Sequence, residues 1–114
     1  MSQHSWVERF PGAITVCDPE GIILEMNDQA ALGYQADGGR ALIGQNLFPC
    51  HSQHSVDLLR GMLERQERNV YTIEKKGVKK LIYQTPWYHV DGTYGGFVEI
   101  ALPIPEDMPH FIRG

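Results

Sequence analysis

The 114-residue chain has little that would staple it, anchor it or draw it to a polyanion. Its two cysteines, Cys17 and Cys50, are too few and too differently placed for a disulfide framework. No apolar run approaches the roughly 20 residues that cross a bilayer, so no membrane partner is expected. The opening MSQHSWVERF has no apolar stretch of the kind a secretory leader needs, and a cytoplasmic location is expected. Basic side chains are the minority, 10 against 14 acidic, and the net charge of −4 argues against a nucleic-acid partner. The one basic cluster, Lys75, Lys76, Lys79 and Lys80, brackets Gly77 and reads as a solvated turn. Gly-x-Ser-x-Gly, Walker and His-Glu-x-x-His patterns are missing. Asp18, His89 and Glu99 carry acid–base chemistry, but nothing in their spacing gathers a nucleophile, a base and an orienting group, so no enzyme is expected.

What the sequence does hold is strand signal. Lys79 to Pro103 reads KLIYQTPWYHV, Asp91-Gly92, TYGGFVEIALP: two runs rich in β-formers about an Asp-Gly pair, the strongest short-range mark of a hairpin. Val98, Ile100 and Leu102 alternate with Phe97, Glu99 and Ala101, so one face of the last strand is wholly apolar. Pro86 interrupts the preceding run and belongs at a bulge or where an amide N–H has no partner to lose. Upstream, Ala13 to Cys17 and Ile22 to Met26 form a first hairpin around Asp18-Pro19-Glu20-Gly21, a type I turn composition.

Trp6, Val7 and Phe10 give a short amphipathic turn before Pro11-Gly12. Asn27-Asp28 supplies cap chemistry for a short helix ended by Gly33, and Gln35 to Arg40 reads as a mobile polar loop. The longest helical pattern runs from about Ser55 to Gln66, with Val56, Leu59, Met62 and Leu63 on one face and Ser52 or Ser55 as cap. Gly61 within it suggests a close backbone approach. Val70 to Glu74 is a third strand region, and residues 105–114 are an extended, proline-rich tail. Strands gathered on both sides of a helical middle indicate one α+β domain with a five-stranded antiparallel sheet.

These residues resemble a PAS domain over roughly Trp6 to Ile104. The resemblance rests on Asp18-x-x-Gly21, Asn27, Gly33-Tyr34, Leu42-Ile43-Gly44, Asp91-Gly92 and Gly95-Gly96-Phe97, in that order. It is nearest to bacterial PAS sensor modules with a Cys-His pair, here Cys50-His51, before the long helix. It implies sheet order 2-1-5-4-3, with one face covered by short helices and the longer helix. Sensor modules wired to a C-terminal kinase or cyclase often end in Asp-Ile-Thr; here Leu102-Pro103-Ile104-Pro105 stands instead, which argues against such direct coupling.

Function by this resemblance is sensory: a small ligand or cofactor in the cleft between sheet and helices, signalling through dimer contacts. The alternatives are a ligand-free interaction scaffold that docks a partner signalling protein, and a haem-binding gas or redox sensor. The implied cleft residues are Ile14, Val16, Leu24, Leu47, Leu59, Leu63, Tyr83, Val98 and Ile100. Haem or a metal would fall to His54, then His51, with Cys50 completing C-H-x-x-H. Flavin-adduct chemistry is not expected, because Leu47 occupies the position of the reactive cysteine after Gly44-Gln45-Asn46. Trp6, Phe10, Trp87 and Tyr88 are expected to form an aromatic homodimer face on the outer side of the sheet.

Overall fold

The first hairpin is set by one carboxylate. In the computed structural model, which describes residues 5–47 and 52–114, Asp18 accepts the backbone N–H groups of Glu20 and Ile22, each at 2.9 Å. This folds β1 (Ala13–Cys17) back along β2 (Ile23–Met26). Between β2 and the next strand lie α2 (Asp28–Gly33) and α3 (Gln53–Arg65), preceded at the start of the chain by α1 (Ser5–Glu8). The chain closes with β3 (Asn69–Lys75), β4 (Val78–Tyr88) and β5 (Tyr94–Pro103).

All pairings are antiparallel and the order is β2-β1-β5-β4-β3, so the last strand lies at the centre of the sheet. The Asp91-Gly92 hairpin forms with a longer loop than a two-residue turn: His89 and Thr93 pair across it, and Asp91 accepts both the backbone and hydroxyl donors of Thr93. Pro86 opposes Phe97 on β5, while β3 begins at Asn69 opposite Gln84. On its other side Pro86 therefore has no strand neighbour that would need its missing N–H. The free edge of β2 is covered by residues 44–47 through the Gly44–Ile23, Ile23–Gln45 and Leu47–Gly21 backbone bonds.

Ser52 caps α3 by accepting from the Ser55 N–H, and Gln66 ends it in the left-handed region. Two expectations give way. Gln35 to Arg40, though largely exposed, is not an irregular loop: residues 35–37 and 39–42 wind into 3₁₀ turns joined at Gly38, and Leu42 just beyond is buried against Ile23, Met26 and Ala30. Gly61 marks no close backbone approach either, because a Cβ there would meet only the movable guanidinium end of Arg65.

The crowded glycine is Gly96. A Cβ there would lie 2.0 Å from the Cys17 carbonyl oxygen and 2.6 Å from the Asp18 carbonyl carbon, and its φ is +130°. Asn27, 2% exposed, is the other fixed point. Its amide donates to the carbonyls of Val7 at 3.0 Å and Gly12 at 2.8 Å, and its oxygen accepts from the N–H groups of Ile14 at 2.9 Å and Ala30 at 3.1 Å.

The two glycines should respond oppositely to alanine in urea unfolding. Gly96→Ala should lose about 3 kcal/mol or more, because rigid backbone blocks the methyl; Gly61→Ala should gain up to about 1 kcal/mol from helix propensity. Asn27→Asp should cost about 2–4 kcal/mol despite its matching shape, since it turns two donors into acceptors facing carbonyl oxygens. Wild-type stability in Asn27→Asp would refute the bonding described for Asn27.

Candidate functional site

Register divides the sheet into two faces, because directly opposed antiparallel residues point to the same side. Cys17 opposes Phe97, Thr15 and Gln84 oppose Glu99, and Tyr71 opposes Ile82; these side chains point toward α3. Ile14, Val16, Leu81, Tyr83, Val98, Ile100 and Leu102 occupy the alternate positions and point away. Between the inner face and α3 lies a cavity of about 650 Å³. Leu58, Leu59, Met62 and Leu63 wall it from the helix, Ile23, Tyr34, Leu42 and Leu47 from the β2 side, and Tyr71, Ile73, Ile82 and Phe97 from the sheet.

Within this apolar lining sits a short polar chain. Gln84, 7% exposed, donates through Nε2 to Glu99 Oε2 at 2.7 Å. Its oxygen accepts from Asn69 Nδ2 at 3.2 Å. Burial, reinforced by the Glu99 charge and partly offset by a hydrogen bond from Gln84, holds the Tyr71 phenol above its ordinary pKa, so it remains a protonated donor. Arg68 borders the cavity, but its guanidinium donates to the Tyr83 hydroxyl at 3.2 Å and lies 5.9 Å from that ring's centroid, on the other face. Glu67 pairs with Arg65. Cys17 is packed by Leu63 and Phe97, and burial pushes its thiol up to about 11.

Of the residues expected to line the cleft, Leu47, Leu59 and Leu63 do. Ile14, Val16, Tyr83, Val98 and Ile100 lie on the opposite face, and Leu24, 42% exposed, stands beside the irregular end of the β1–β2 pairing. The apolar face of β5 points outward, and the cavity side is the mixed face carrying Phe97 and Glu99. A polar pair in mid-strand was the available signal: counting back across the Asp91-Gly92 loop sets Gln84 opposite Glu99.

The expected aromatic face separates too. Trp87 lies against Gly95 and its indole N–H donates to the Cys17 carbonyl at 3.0 Å, whereas alternation along β4 puts Tyr88 on the side of Ile82 and Gln84, where its hydroxyl bonds Gln66. Phe10 approaches Gly12 near Leu102, and Trp6 is 67% exposed on α1.

Cys50 and His51 lie outside the described residues. His54 is exposed in the first turn of α3 and is not among the residues that line the cavity. Among the described residues no cluster of three or more His, Cys, Asp or Glu side chains is placed to hold a metal. The described donors facing the cavity are a carboxylate, amides, hydroxyls and a thiol held protonated. Histidine, the axial ligand expected from the sequence, is not in that described set.

A central-strand-last antiparallel sheet with a helix-walled cavity on one face is the PAS fold, and this chain has it. The PAS domain of a Colwellia psychrerythraea protein superposes with TM-score 0.58 at 19% identity, covering 88% of this chain and 92% of that one. The Aer2 receptor of Vibrio cholerae, described as a dual PAS-haem oxygen sensor, gives 0.59 at 17% identity, over 82% and 95%. VqmA bound to DPO gives 0.64 at 12% identity, over 90% of this chain and 56% of that one. No family model matches the sequence, and no curated protein does.

The raised Cys17 pKa has a definite consequence for stability. A thiol that holds its proton more tightly when folded contributes fully below its ordinary value of 9.0, and that contribution is lost as pH rises toward about 11. Urea unfolding of wild type should lose up to about 2–3 kcal/mol across this window. Tyr71 and Tyr94, also pushed up by burial, add loss in the same direction, so the Cys17→Ala variant isolates the thiol. Parallel alkaline curves for the two proteins would show that the thiol is not buried as described.

Proposed function

We propose that this chain is a non-catalytic sensory module that binds a small ligand in the cavity beneath α3 and signals through a homodimer. The observation that carries this reading is the cavity itself: about 650 Å³, largely apolar, with a few convergent polar groups. That is the usual form of a small-molecule site, whereas a solid core of this size leaves voids of little more than a water. The fold neighbours support it, since one is described as a haem sensor and another as bound to DPO. Of the residues expected to hold haem, His54 does not line the cavity and His51 and Cys50 lie outside the described residues, so the guest favoured is a small organic molecule.

For the dimer, the supporting feature is the outer face of the sheet. Ile14, Val16, Val98, Ile100 and Leu102 are all half-buried there and none is fully covered by the chain's own elements. Contiguous apolar surface of this kind is uncommon on a lone protomer. Trp87 and Phe10 stay at the margin of this face; Tyr88 leaves it. The same face would serve the alternative reading, a scaffold that docks a partner signalling protein without a ligand.

Two measurements separate these readings. The neutral dye N-phenyl-1-naphthylamine should brighten on binding wild type, and Leu59→Trp, which fills the cavity, should weaken that binding about tenfold or more. Absence of dye binding, with no molecule co-purifying by mass spectrometry, would favour the scaffold. In sedimentation, wild type should run as a dimer and Ile100→Lys as a folded monomer. A wild-type monomer at tens of micromolar would refute pairing.

A further inference from the structure

Resting on the reading of the cavity as a ligand site, we infer that its guest carries a protonated nitrogen on an apolar body and presents that nitrogen to Glu99. Glu99 sits in mid-strand on β5, half-buried, with Thr15 beside it on β1 and Gln84 beside it on β4. One carboxylate oxygen, Oε2, takes the Gln84 amide proton. Among the described residues the other oxygen accepts no hydrogen bond and no Lys, Arg or His pairs with the carboxylate.

The neighbours cannot supply what is lacking. Gln84 gives one amide hydrogen to Glu99 and hydrogen-bonds the Tyr71 hydroxyl with the other, and its oxygen accepts from Asn69, so it has no further donor for the carboxylate. Arg68, the cation that borders the cavity, is held by the Tyr83 hydroxyl and ring on the opposite face. Glu67, also on the border, is acidic and engaged with Arg65. The cavity thus has one sign: a carboxylate with spare acceptor capacity, the protonated Tyr71 phenol beside it, and no free cation among the described residues.

A charge removed from bulk water without a counter-ion is costly, and charge-assisted hydrogen bonds from a cationic donor are the strongest way to offset that. An ammonium group or protonated ring nitrogen therefore gains at Glu99, a neutral hydroxyl gains less, and a carboxylate or phosphate is repelled. The leucine, methionine and phenylalanine lining would take the guest's apolar remainder.

The test displaces N-phenyl-1-naphthylamine from the purified protein at pH 7 with three probes of one shape: 4-phenylbutylamine, 4-phenylbutan-1-ol and 4-phenylbutyrate. The amine should compete about tenfold or more better than the alcohol, and the carboxylate worst. In Glu99→Gln the amine should fall to the alcohol's level while the alcohol changes by no more than about twofold. Glu74→Gln, on the sheet's other face, should keep the wild-type ranking. Equal competition by amine and alcohol in wild type overturns the inference while leaving the cavity reading intact. So does an amine advantage that survives in folded Glu99→Gln. Failure of the dye to bind wild type at all refutes the cavity reading and the inference with it. Equal competition in wild type overturns the inference by itself, so the test stands even where Glu99→Gln does not fold.

Discussion

Asn27 spends every hydrogen-bonding position of its carboxamide on backbone from three directions: Val7 and Gly12 before β1, Ile14 within it, and Ala30 in α2. It is also almost completely buried. An amide can accept twice and donate twice, so this side chain has no spare valence and no tolerance for a changed one. The consequence is positional. Once Asn27 is placed, the entry of the chain into β1 and the start of α2 are fixed relative to each other, and Arg40 adds outer ties to Asp28, Glu8 and the Met26 carbonyl. The helical flank that walls one side of the cavity hangs from that point.

The other side depends on how closely β5 can lie against β1. At Gly96 the two backbones approach until a methyl would overlap the Cys17 carbonyl, and at Gly95 the Trp87 ring occupies the space a side chain would need. These glycines let the central strand begin at the bottom of the β1–β2 hairpin. From there, β5 runs the length of the sheet between β1 and β4. Strict alternation then does the sorting: Phe97 and Glu99 go to the cavity, Val98 and Ile100 to the outer face. A one-residue slip would exchange the two sets, and the glycine contact guards against it.

Much of the fold was legible in residues because local chemistry and global pairing agree. The Asp18 turn, the Asn27 cap, the amphipathic stripe of α3 and the Asp91-Gly92 loop each announce their own geometry, and the family resemblance that these residues carry implied the sheet order found. The faces of β5 were harder to read. Val98, Ile100 and Leu102 look like a core stripe, and Glu99 looks like the solvent side; both impressions are propensity arguments that hold for a sheet with one wet face. Here the inner face borders a cavity that accepts a carboxylate, and the outer face is left apolar, so the hydrophobic rule points the wrong way. The 3₁₀ turns of residues 35–42 were opaque for a different reason. Their Gly38-Gly39 pair reads as loop, but the left-handed conformations of those glycines and the burial of Leu42 on Ile23 and Met26 are tertiary facts.

The same alternation that hid the site gives it a mechanical consequence. Glu99 has Val98 and Ile100 as its immediate chain neighbours, and they are on the outer face. Cavity and outer surface are thus one residue apart along a single strand, with no intervening layer to absorb a displacement. Close-packed strands transmit small shifts poorly unless two arrangements already compete, so a guest can act only to the extent that it prefers one arrangement over the other. Gln84 joins β3 to β5 through Asn69 and Glu99, and Tyr94 ties the start of β5 to the Leu63 carbonyl of α3. A change in what Glu99 bonds to alters the first connection directly and leaves the second in place. Strand β5 is thus held in its middle through Gln84 and at its start by α3.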